Sequence, residues 1–247
     1  MKNILRTALT VLFLSFASVG YPALSPEEIV SKADEIRSPR IDYTVDATVT
    51  SVKPGGEKRA AKYEILVKGR DKTIVKTLYP DMDRGRTLLM LGRDMWVFLP
   101  DVSKPVRISL QQRLLGEVAN GDIARTNFSG DYDPKLLRTE TIGGKKYYVL
   151  ELTAKSEEVT YGKAVYWVGT ENFYPYKAEF YALSGRLLKL CAYEDFRDLG
   201  GRRRPARLVL TDPLVKGQLS TIEYSNMKTV ELPEKYFTKD YLKKLKY

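Results

Sequence analysis

The segment LLGEVANGDIARTNFSGDYD, residues 114–133, carries the densest set of polar side chains in the chain. Asp122 and Asp131 lie within it, and paired carboxylates are the machinery of glycoside hydrolysis, where one of them has a raised pKa. Arg125 lies between them in sequence, and a neighbouring guanidinium lowers the pKa of a carboxyl. The structural alternative is that both aspartates bond loop amides or Arg125, since an irregular insertion needs partners for its backbone groups. We favour the structural interpretation.

Histidine is absent from the chain, and Cys191 is the only cysteine. The absence of histidine excludes Ser-His-Asp and Cys-His nucleophile activation and removes the usual ligand of zinc, copper and haem sites. A single cysteine cannot form an internal disulfide, and the apolar neighbours in LLKLCA predict a strand interior where it acts as a small hydrophobe. Catalysis would have to rest on carboxylates, lysine or tyrosine, and we expect no catalytic residue, no metal and no cofactor.

The first residues of the chain predict export. Lys2 and Arg6 precede an apolar run over Ala8–Ala17, which is followed by small residues. This is the layout of a secretory signal. The run of about ten apolar residues is too short to span a bilayer, which needs roughly 20. We predict a signal peptide over residues 1–20, with cleavage as late as residue 23, and a protein that is not lipid-anchored because no cysteine follows the run.

The formal net charge is +10, and loss of Lys2 and Arg6 with the signal would leave about +8. Outside the cytoplasm, the acidic counterparts of such a surface are phospholipid headgroups and other anionic envelope components, rather than nucleic acid. The motif GRRRPAR, residues 201–207, and the tail KKLKY, residues 243–247, are the candidates for transient contact with a membrane surface or an acidic protein face. The alternative is that both are solvated ends.

Three helical segments and many strands are predicted along the chain. Over residues 25–38, Ser25 can cap a helix, Pro26 suits its first turn and Glu28 completes a capping box. From residue 41 the period changes to two, and turn signals such as PGGE, KGRDK, LGRD and IGGKK recur between apolar runs. This rhythm predicts about ten antiparallel strands joined mostly as hairpins. The segment SLQQRLLGEV, residues 109–118, has helical spacing, and TKDYLKKL near the end predicts a short basic helix.

A sheet of that width curls rather than staying flat. We expect one mainly β domain over residues 21–247: a single strongly curved antiparallel sheet forming an incomplete half-barrel, with helices covering its concave side. The runs LLMLG and DMWVFLP lack polar alternation, so both of their faces should be covered. A curled sheet under helices encloses an apolar hollow, which is either filled by side chains or left for a ligand.

Several stretches resemble the outer-membrane lipoprotein-sorting family, and in particular its LolA-like branch. They are RGRTLLMLGRDMWVFLPDVSKPVRIS from Arg84 to Ser109, then QRLLGEVANGDIARTNFSGDYD, YPYKAEFYALSGRLLKLCAYEDF and GRRRPARLVLTD. The likeness runs from the first helix to about residue 226 and is strongest over residues 84–133. The resemblance implies a half-barrel in the periplasm that holds the acyl chains of lipoproteins or other lipids. Members of this branch are often encoded beside RND-type transporters.

The resemblance and the pattern together define a candidate lipid-binding cavity and a candidate lid. The predicted cavity residues are Tyr43, Val45, Ile65, Leu89, Trp96, Phe98, Leu114, Leu115 and Val118. The last three would form an apolar flap, and the clasp that holds it would consist of Asp122, Arg125, Asn127 and Asp131. The function this predicts is a non-enzymatic, monomeric carrier of lipid or lipoprotein acyl chains, with an RND-type transporter and an outer-membrane acceptor as partners. The alternatives are an accessory subunit of such a transporter that binds no lipid, and a carboxylate-based hydrolase of envelope glycans.

Overall fold

The computed structural model describes residues 24–125 and 127–244, so the predicted signal peptide lies outside the described residues. Among these residues no helix is long and apolar enough to cross a membrane. The first helix, α1, runs from Pro26 to Arg37 and begins as the sequence predicts. Ser25 accepts a hydrogen bond from the Glu28 amide, and the Glu28 carboxylate accepts one from the Ser25 amide. This reciprocal box satisfies two amides that a helix start otherwise leaves without partners.

Fifteen strands and three further helices follow in the described chain. The strands are β1 Tyr43–Val52, β2 Lys58–Lys68, β3 Lys72–Tyr79, β4 Thr87–Leu91, β5 Asp94–Phe98, β6 Val106–Ile108, β7 Arg113–Leu115, β8 Val118–Ala119, β9 Tyr132–Ile142, β10 Lys145–Ala154, β11 Lys163–Gly169, β12 Pro175–Tyr181, β13 Leu187–Asp198, β14 Arg203–Thr211 and β15 Leu219–Thr229. The helices are α2 Asn120–Ala124, α3 Phe128–Asp131 and α4 Lys239–Lys243, and short 3-10 turns occupy Asp81–Asp83 and Glu234–Phe237.

Thirteen of the strands form one antiparallel sheet in the order β6-β5-β4-β3-β2-β1-β15-β14-β13-β12-β11-β10-β9. The edge strands β6 and β9 do not pair with each other, so the sheet is an incomplete barrel, as predicted. Nearly every neighbouring pair is a hairpin, and β1 pairs with β15 to join the two halves of the chain. The strands outnumber the predicted ten because short strands such as β6 carry too few residues to show an alternation.

Residues 109–131 connect β6 to β9, and we name them the lid segment after the lid predicted at residues 114–133. The prediction of a helix over residues 109–118 is wrong, because the chain forms the two-stranded hairpin β7–β8 instead. Gly116 lies in the turn of this hairpin with a φ of 56°, a left-handed conformation that glycine adopts without the strain it causes in other residues. The helical spacing of Leu110, Leu114 and Val118 did not determine the structure here, because a left-handed glycine and contacts of Glu117 with Lys189 and Ser220 favour a turn.

The inner face of the sheet carries the main core. Val45 pairs with Ile65 and Ile65 with Val75, and directly paired residues share a face. Against this face pack α1 and the lid segment, through buried residues such as Ile29 and Ile123. The predicted cover of helices on the concave side is thus provided by α1, α2 and α3.

Leu89, Trp96 and Phe98 do not lie on this inner face, which corrects their predicted place in the cavity. Leu89 pairs with Trp96 and with Ile74, a residue of the second core cluster on the outer face. The chain after β15 covers this outer face with Leu232, Phe237 and Leu242. The run LLMLG is indeed covered on both faces, and for that reason its sequence does not reveal which residue faces inward.

The C-terminal cover includes α4, which the sequence predicts, and it is attached at Asp42. The Asp42 carboxylate accepts hydrogen bonds from Lys68 Nζ at 2.8 Å and from the amides of Gly69 at 3.1 Å and Leu232 at 3.2 Å. Partial burial acts to raise the pKa of Asp42, but these hydrogen bonds and the charge of Lys68 outweigh it and lower the pKa. A lowered pKa in the folded state means that this attachment stabilises the protein above the ordinary pKa and is lost as the pH falls through the folded pKa.

We expect the C-terminal cover to loosen as the pH falls below about 4, the ordinary range of an aspartate pKa. Trp96 reports this, because Lys239 Nζ lies 3.6 Å from the centre of its ring. In a Trp167→Phe background Trp96 is the only tryptophan, so its fluorescence should change across this acid range. Asp42→Asn should show the loosened spectrum already at pH 7, and the control Asp46→Asn should not. Identical acid profiles for all three proteins would contradict the role of Asp42.

Candidate functional site

Two small cavities lie between the inner face of the sheet and its cover. The first has a volume of about 50 Å³ and is bounded by Tyr43, Val45 and Ile65 on the sheet and by Ile123 and Ala124 on α2. Thr73 Oγ1 donates a hydrogen bond of 2.9 Å to the Ala124 carbonyl beside it. Three predicted cavity residues thus meet at one hollow beneath the lid segment.

The second cavity has a volume of about 30 Å³ and lies under the other half of the lid segment. Its lining includes all four predicted clasp residues, Asp122, Arg125, Asn127 and Asp131. Phe128 and Cys191 also contribute to its wall. Neither cavity approaches the roughly 300 Å³ at which small-molecule pockets begin, so the hollow is largely filled by side chains in this conformation.

The predicted flap residues divide between the interior and an edge. Val118 is fully buried in the inner core. Leu114 and Leu115 are half-buried and line a surface groove of about 440 Å³, whose opposite wall includes Tyr79 and Met82 of the β3–β4 connection. The flap therefore reaches the molecular surface beside exposed apolar side chains.

Arg125 and Asp131 form a buried bidentate ion pair. Arg125 Nε donates to Asp131 Oδ2 at 2.5 Å, and its Nη2 donates to Oδ1 at 2.6 Å. Both side chains are at least nine-tenths buried. Arg125 Nη1 also donates to the carbonyl of Gly92 in the β4–β5 turn, and Arg93 Nε contacts Asp131 Oδ1 at 3.3 Å. The pair thereby attaches the lid segment to the sheet.

Asp122 attaches the α2 part of the lid segment to the sheet. Its partners are Tyr161 and Lys189, not Arg125 as predicted. Its Oδ1 accepts a hydrogen bond of 2.5 Å from the Tyr161 hydroxyl, and its Oδ2 contacts Lys189 Nζ at 3.2 Å. The Ala119 amide also donates to Oδ2, at 2.8 Å. Burial and the nearby Asp122 charge hold the pKa of Tyr161 well above its usual value, so the phenol remains a proton donor to the carboxylate. Lys189 also donates to the carbonyl of Glu117 in the β7–β8 turn.

Asn127 forms its hydrogen bond within the lid segment and does not link the segment to the sheet. Its side-chain oxygen accepts the amide of Gly130 at 3.1 Å and so caps α3. The next link to α1 is the Ser129 amide, which donates to Asp34 Oδ2 at 2.7 Å. Asp34 is also paired with Arg37 at 3.0 Å, whose guanidinium lies 3.8 Å from the centre of the Phe128 ring. Helix α1 and the lid segment therefore form one connected cover.

Cys191 lies under this cover as an inert thiol. It is 3% exposed, and burial, followed by the charge of Asp122, raises its pKa to about 12. Because the thiolate is the reactive form, a thiol with this pKa reacts with reagents only when the cover opens. The sole cysteine of the chain is thus a built-in reporter of access to the second cavity.

Sequence reasoning missed two basic residues of the inner face, Lys189 and Arg204. Lys189 pairs with Phe180, and Arg204 has the same orientation in β14 as Ala206 and Leu208, so both point inward. The sequence carries a signal for each, because a charged residue takes the place of an apolar one in the strand alternation. Lys189 lies two residues before Cys191, and Arg204 lies four residues before Leu208. The motif GRRRPAR was interpreted as a surface element, whereas Arg204 is 3% exposed.

The geometry defines a class of protein: an open antiparallel half-barrel with small interior cavities beneath a cover of short segments. A family described only as uncharacterized protein matches residues 69–244. A LolA superfamily protein from Nitrosomonas europaea has a crystal structure with 50% sequence identity and a TM-score of 0.85, over 89% of this chain and 100% of that one. The chain belongs to the LolA superfamily.

Two more distant crystal structures share the fold. One is a DUF1329 family protein from Desulfovibrio piger, with 24% identity and a TM-score of 0.76 over 88% of this chain and 97% of that one. The other is named as an outer membrane lipoprotein-sorting protein domain, from Vibrio parahaemolyticus, with 22% identity and a TM-score of 0.73 over 89% of this chain and 98% of that one. No curated protein matches the chain. The resemblance that the sequence predicts is confirmed.

Proposed function

We propose that this protein is a periplasmic carrier that takes a lipid or lipoprotein acyl chain onto the inner face of its half-barrel and passes it to an envelope partner. One observation carries the proposal: the apolar inner face of an open sheet is covered by short separate segments, and cavities remain beneath them. Membership in the LolA superfamily supports the same function. A carrier must shield each CH₂ group from water, which is worth about 0.8 kcal/mol, and must also release the chain.

The carrier is closed in this conformation. Cavities of about 50 and 30 Å³ hold a few waters at most, because one water needs roughly 10–15 Å³ of such space. Loading therefore requires α2 and the rest of the lid segment to move away from Val45 and Ile65. The contacts that must break include the polar Arg125–Asp131 and Asp122–Lys189 pairs and the apolar packing of Ile123 and Phe128 in the core.

A bulkier side chain on the inner face tests the proposal. Val45→Phe fills the first cavity from the β1 side, and we expect uptake of a phospholipid with a fluorescent acyl chain to fall about tenfold. That factor corresponds to excluding about two CH₂ groups at roughly 0.8 kcal/mol each. The measurement is the rise in fluorescence when purified protein is mixed with labelled vesicles.

Val209→Phe is the matched control, because Val209 alternates with the inward-facing Leu208 and Leu210 and so lies on the outer face of β14. It should take up lipid like the parent protein. Circular dichroism must show that both variants are folded. Failure of the parent protein to take up any labelled lipid, together with native mass spectra of empty protein only, would overturn the carrier.

The small cavity volume also favours a second candidate, an accessory subunit that binds an inner-membrane transporter of the RND type without touching lipid. Such a subunit carries no lipid, so side chains can fill its interior. This candidate predicts stable co-purification with the transporter that Val45→Phe leaves intact. Lipid uptake that depends on residue 45 would exclude it.

A glycan hydrolase has weaker support. Asp122 and Asp131 each use both carboxylate oxygens in contacts beneath the lid segment, beside a space of about 30 Å³. A sugar ring cannot enter that space. If the protein hydrolysed an envelope glycan and Asp122→Asn lost this activity, the result would support a hydrolase.

A further inference from the structure

The first cavity has a polar end as well as an apolar one. Val45, Ile65, Ile123 and Leu208 form its apolar part, whereas Ser38, the Tyr43 hydroxyl, Arg70 and Arg204 line it near one end of the barrel. That end holds the β2–β3 turn and the β13–β14 turn, to which Arg70 and Leu199 belong. Arg70 is exposed, so the cavity reaches the surface there.

Arg204 is a buried cation whose partners in the described chain are all neutral. Its Nε donates to the carbonyl of Leu199 at 3.1 Å, and its Nη1 donates to the carbonyls of Glu35 and Ile36 at 2.8 and 2.7 Å. Within residues 24–125 and 127–244 it forms no ion pair, and its Nη2 donates to no protein atom. Because Glu35 and Ile36 belong to the last turn of α1, the negative end of the helix offsets part of the cost of burying this guanidinium, but no full negative charge balances it.

The acidic groups nearby form no ion pair with Arg204. Glu35 is paired with Arg40 at 2.9 Å, and Asp198 accepts the amide of Gly201 at 3.0 Å. Burial lowers the pKa of Arg204 and the positive charge of Arg202 adds to this effect, while Tyr43, Glu35 and Asp198 act to raise it. Arg70, like Arg204, has no ion pair among the described residues. The mouth of the cavity therefore carries an excess of positive charge.

We propose that Arg70 and Arg204 form an anion site at the mouth of the inner cavity, which holds the carboxylate or phosphate of an amphiphile whose acyl chain enters the apolar part. The guanidinium fork matches both oxyanions in geometry and stays charged at all relevant pH values. This inference rests on the carrier function proposed above and adds the chemical class of its cargo. A neutral acyl chain would leave the mouth arginines without a counter-charge.

The test compares dodecyl phosphate with dodecanol, which has the same chain and no charge, as competitors of a bound neutral apolar dye. We expect dodecyl phosphate to compete at about a tenfold lower concentration, the gain of roughly one charge-assisted hydrogen bond. Arg70→Gln, which removes no hydrogen bond within the described chain, should reduce this preference at least about threefold and leave dodecanol unchanged. Arg204→Lys should do the same while keeping a cation near the end of α1.

Arg186→Gln is the matched control, since Arg186 is an exposed arginine in the β12–β13 turn at the opposite end of the barrel. It should retain the full preference. Equal competition by dodecyl phosphate and dodecanol would overturn the anion site and leave the carrier standing, whereas competition by neither would overturn the carrier itself. A preference that survives in Arg70→Gln and Arg204→Lys would also overturn the site. Inorganic phosphate competing as well as dodecyl phosphate would assign the arginines to a free anion and overturn the amphiphile.

Discussion

Asp131→Asn is expected to release the lid segment and to expose Cys191. The substitution leaves Arg125, a buried cation, without its bidentate partner, and breaking a buried pair in this way costs about 3–5 kcal/mol. Because every 1.4 kcal/mol is a factor of about ten, the rate at which a thiol reagent labels Cys191 should rise at least about 100-fold. The measurement is labelling at pH 8 in the absence of denaturant.

Asp133→Asn is the matched control for this prediction. Asp133 is exposed, and its contact with Lys155 Nζ is a surface ion pair of 3.5 Å, which contributes about 1 kcal/mol or less. Labelling in low urea separates lid opening from global unfolding, because a local opening exposes little surface and depends only weakly on urea. Equal labelling rates in Asp131→Asn and Asp133→Asn would show that the Arg125–Asp131 pair does not hold the lid segment closed.

Gly116→Ala is expected to displace the β7–β8 hairpin from the sheet. A Cβ at residue 116 would lie 2.6 Å from the Cβ of Ser51 and closer still to the hydroxyls of Ser51 and Ser220. Both serines are buried, and Ser220 Oγ accepts the amide of Glu117 at 2.9 Å. The left-handed φ costs alanine about 1–2 kcal/mol, and the overlap adds about 1–3 kcal/mol.

Gly143→Ala is the matched control, which measures the cost of the left-handed φ to the free energy of unfolding without any steric overlap. Gly143 has the same φ of 56°, and a Cβ there would meet nothing within 4 Å. Urea denaturation of the two variants should therefore give a larger loss in the free energy of unfolding for Gly116→Ala. Losses of equal size would mean that the hairpin does not pack closely on β1 and β15.

Some elements follow from the sequence because their determinants are local. The capping box of α1 joins residues three apart, and the alternation of β1 is read along a single strand. The family resemblance also follows from sequence, since contiguous motifs such as RGRTLLMLGRDMWVF carry it. These features predict the fold class, which the structure confirms, and they predict a lid at residues 114–133.

The orientation of β4 and β5 did not follow from sequence. Where both faces of a strand are buried, no polar alternation marks the inner side, so the prediction that Leu89 and Trp96 face inward rests on the resemblance and the apolar pattern without knowledge of the register. The pairing of Ile74 with Leu89 decides the question, and such a pairing depends on register between strands.

The partners of the buried charged residues also depend on the tertiary structure. Composition alone determined that no histidine chemistry is possible and that Cys191 has no disulfide partner within the chain. Only the fold brings Lys189 to Asp122 and Arg204 to the end of α1, because these partners are far apart in sequence and meet through the curvature of the sheet. The sequence predicts a lid at residues 114–133, whereas the contacts that hold this segment on the sheet belong to the folded half-barrel.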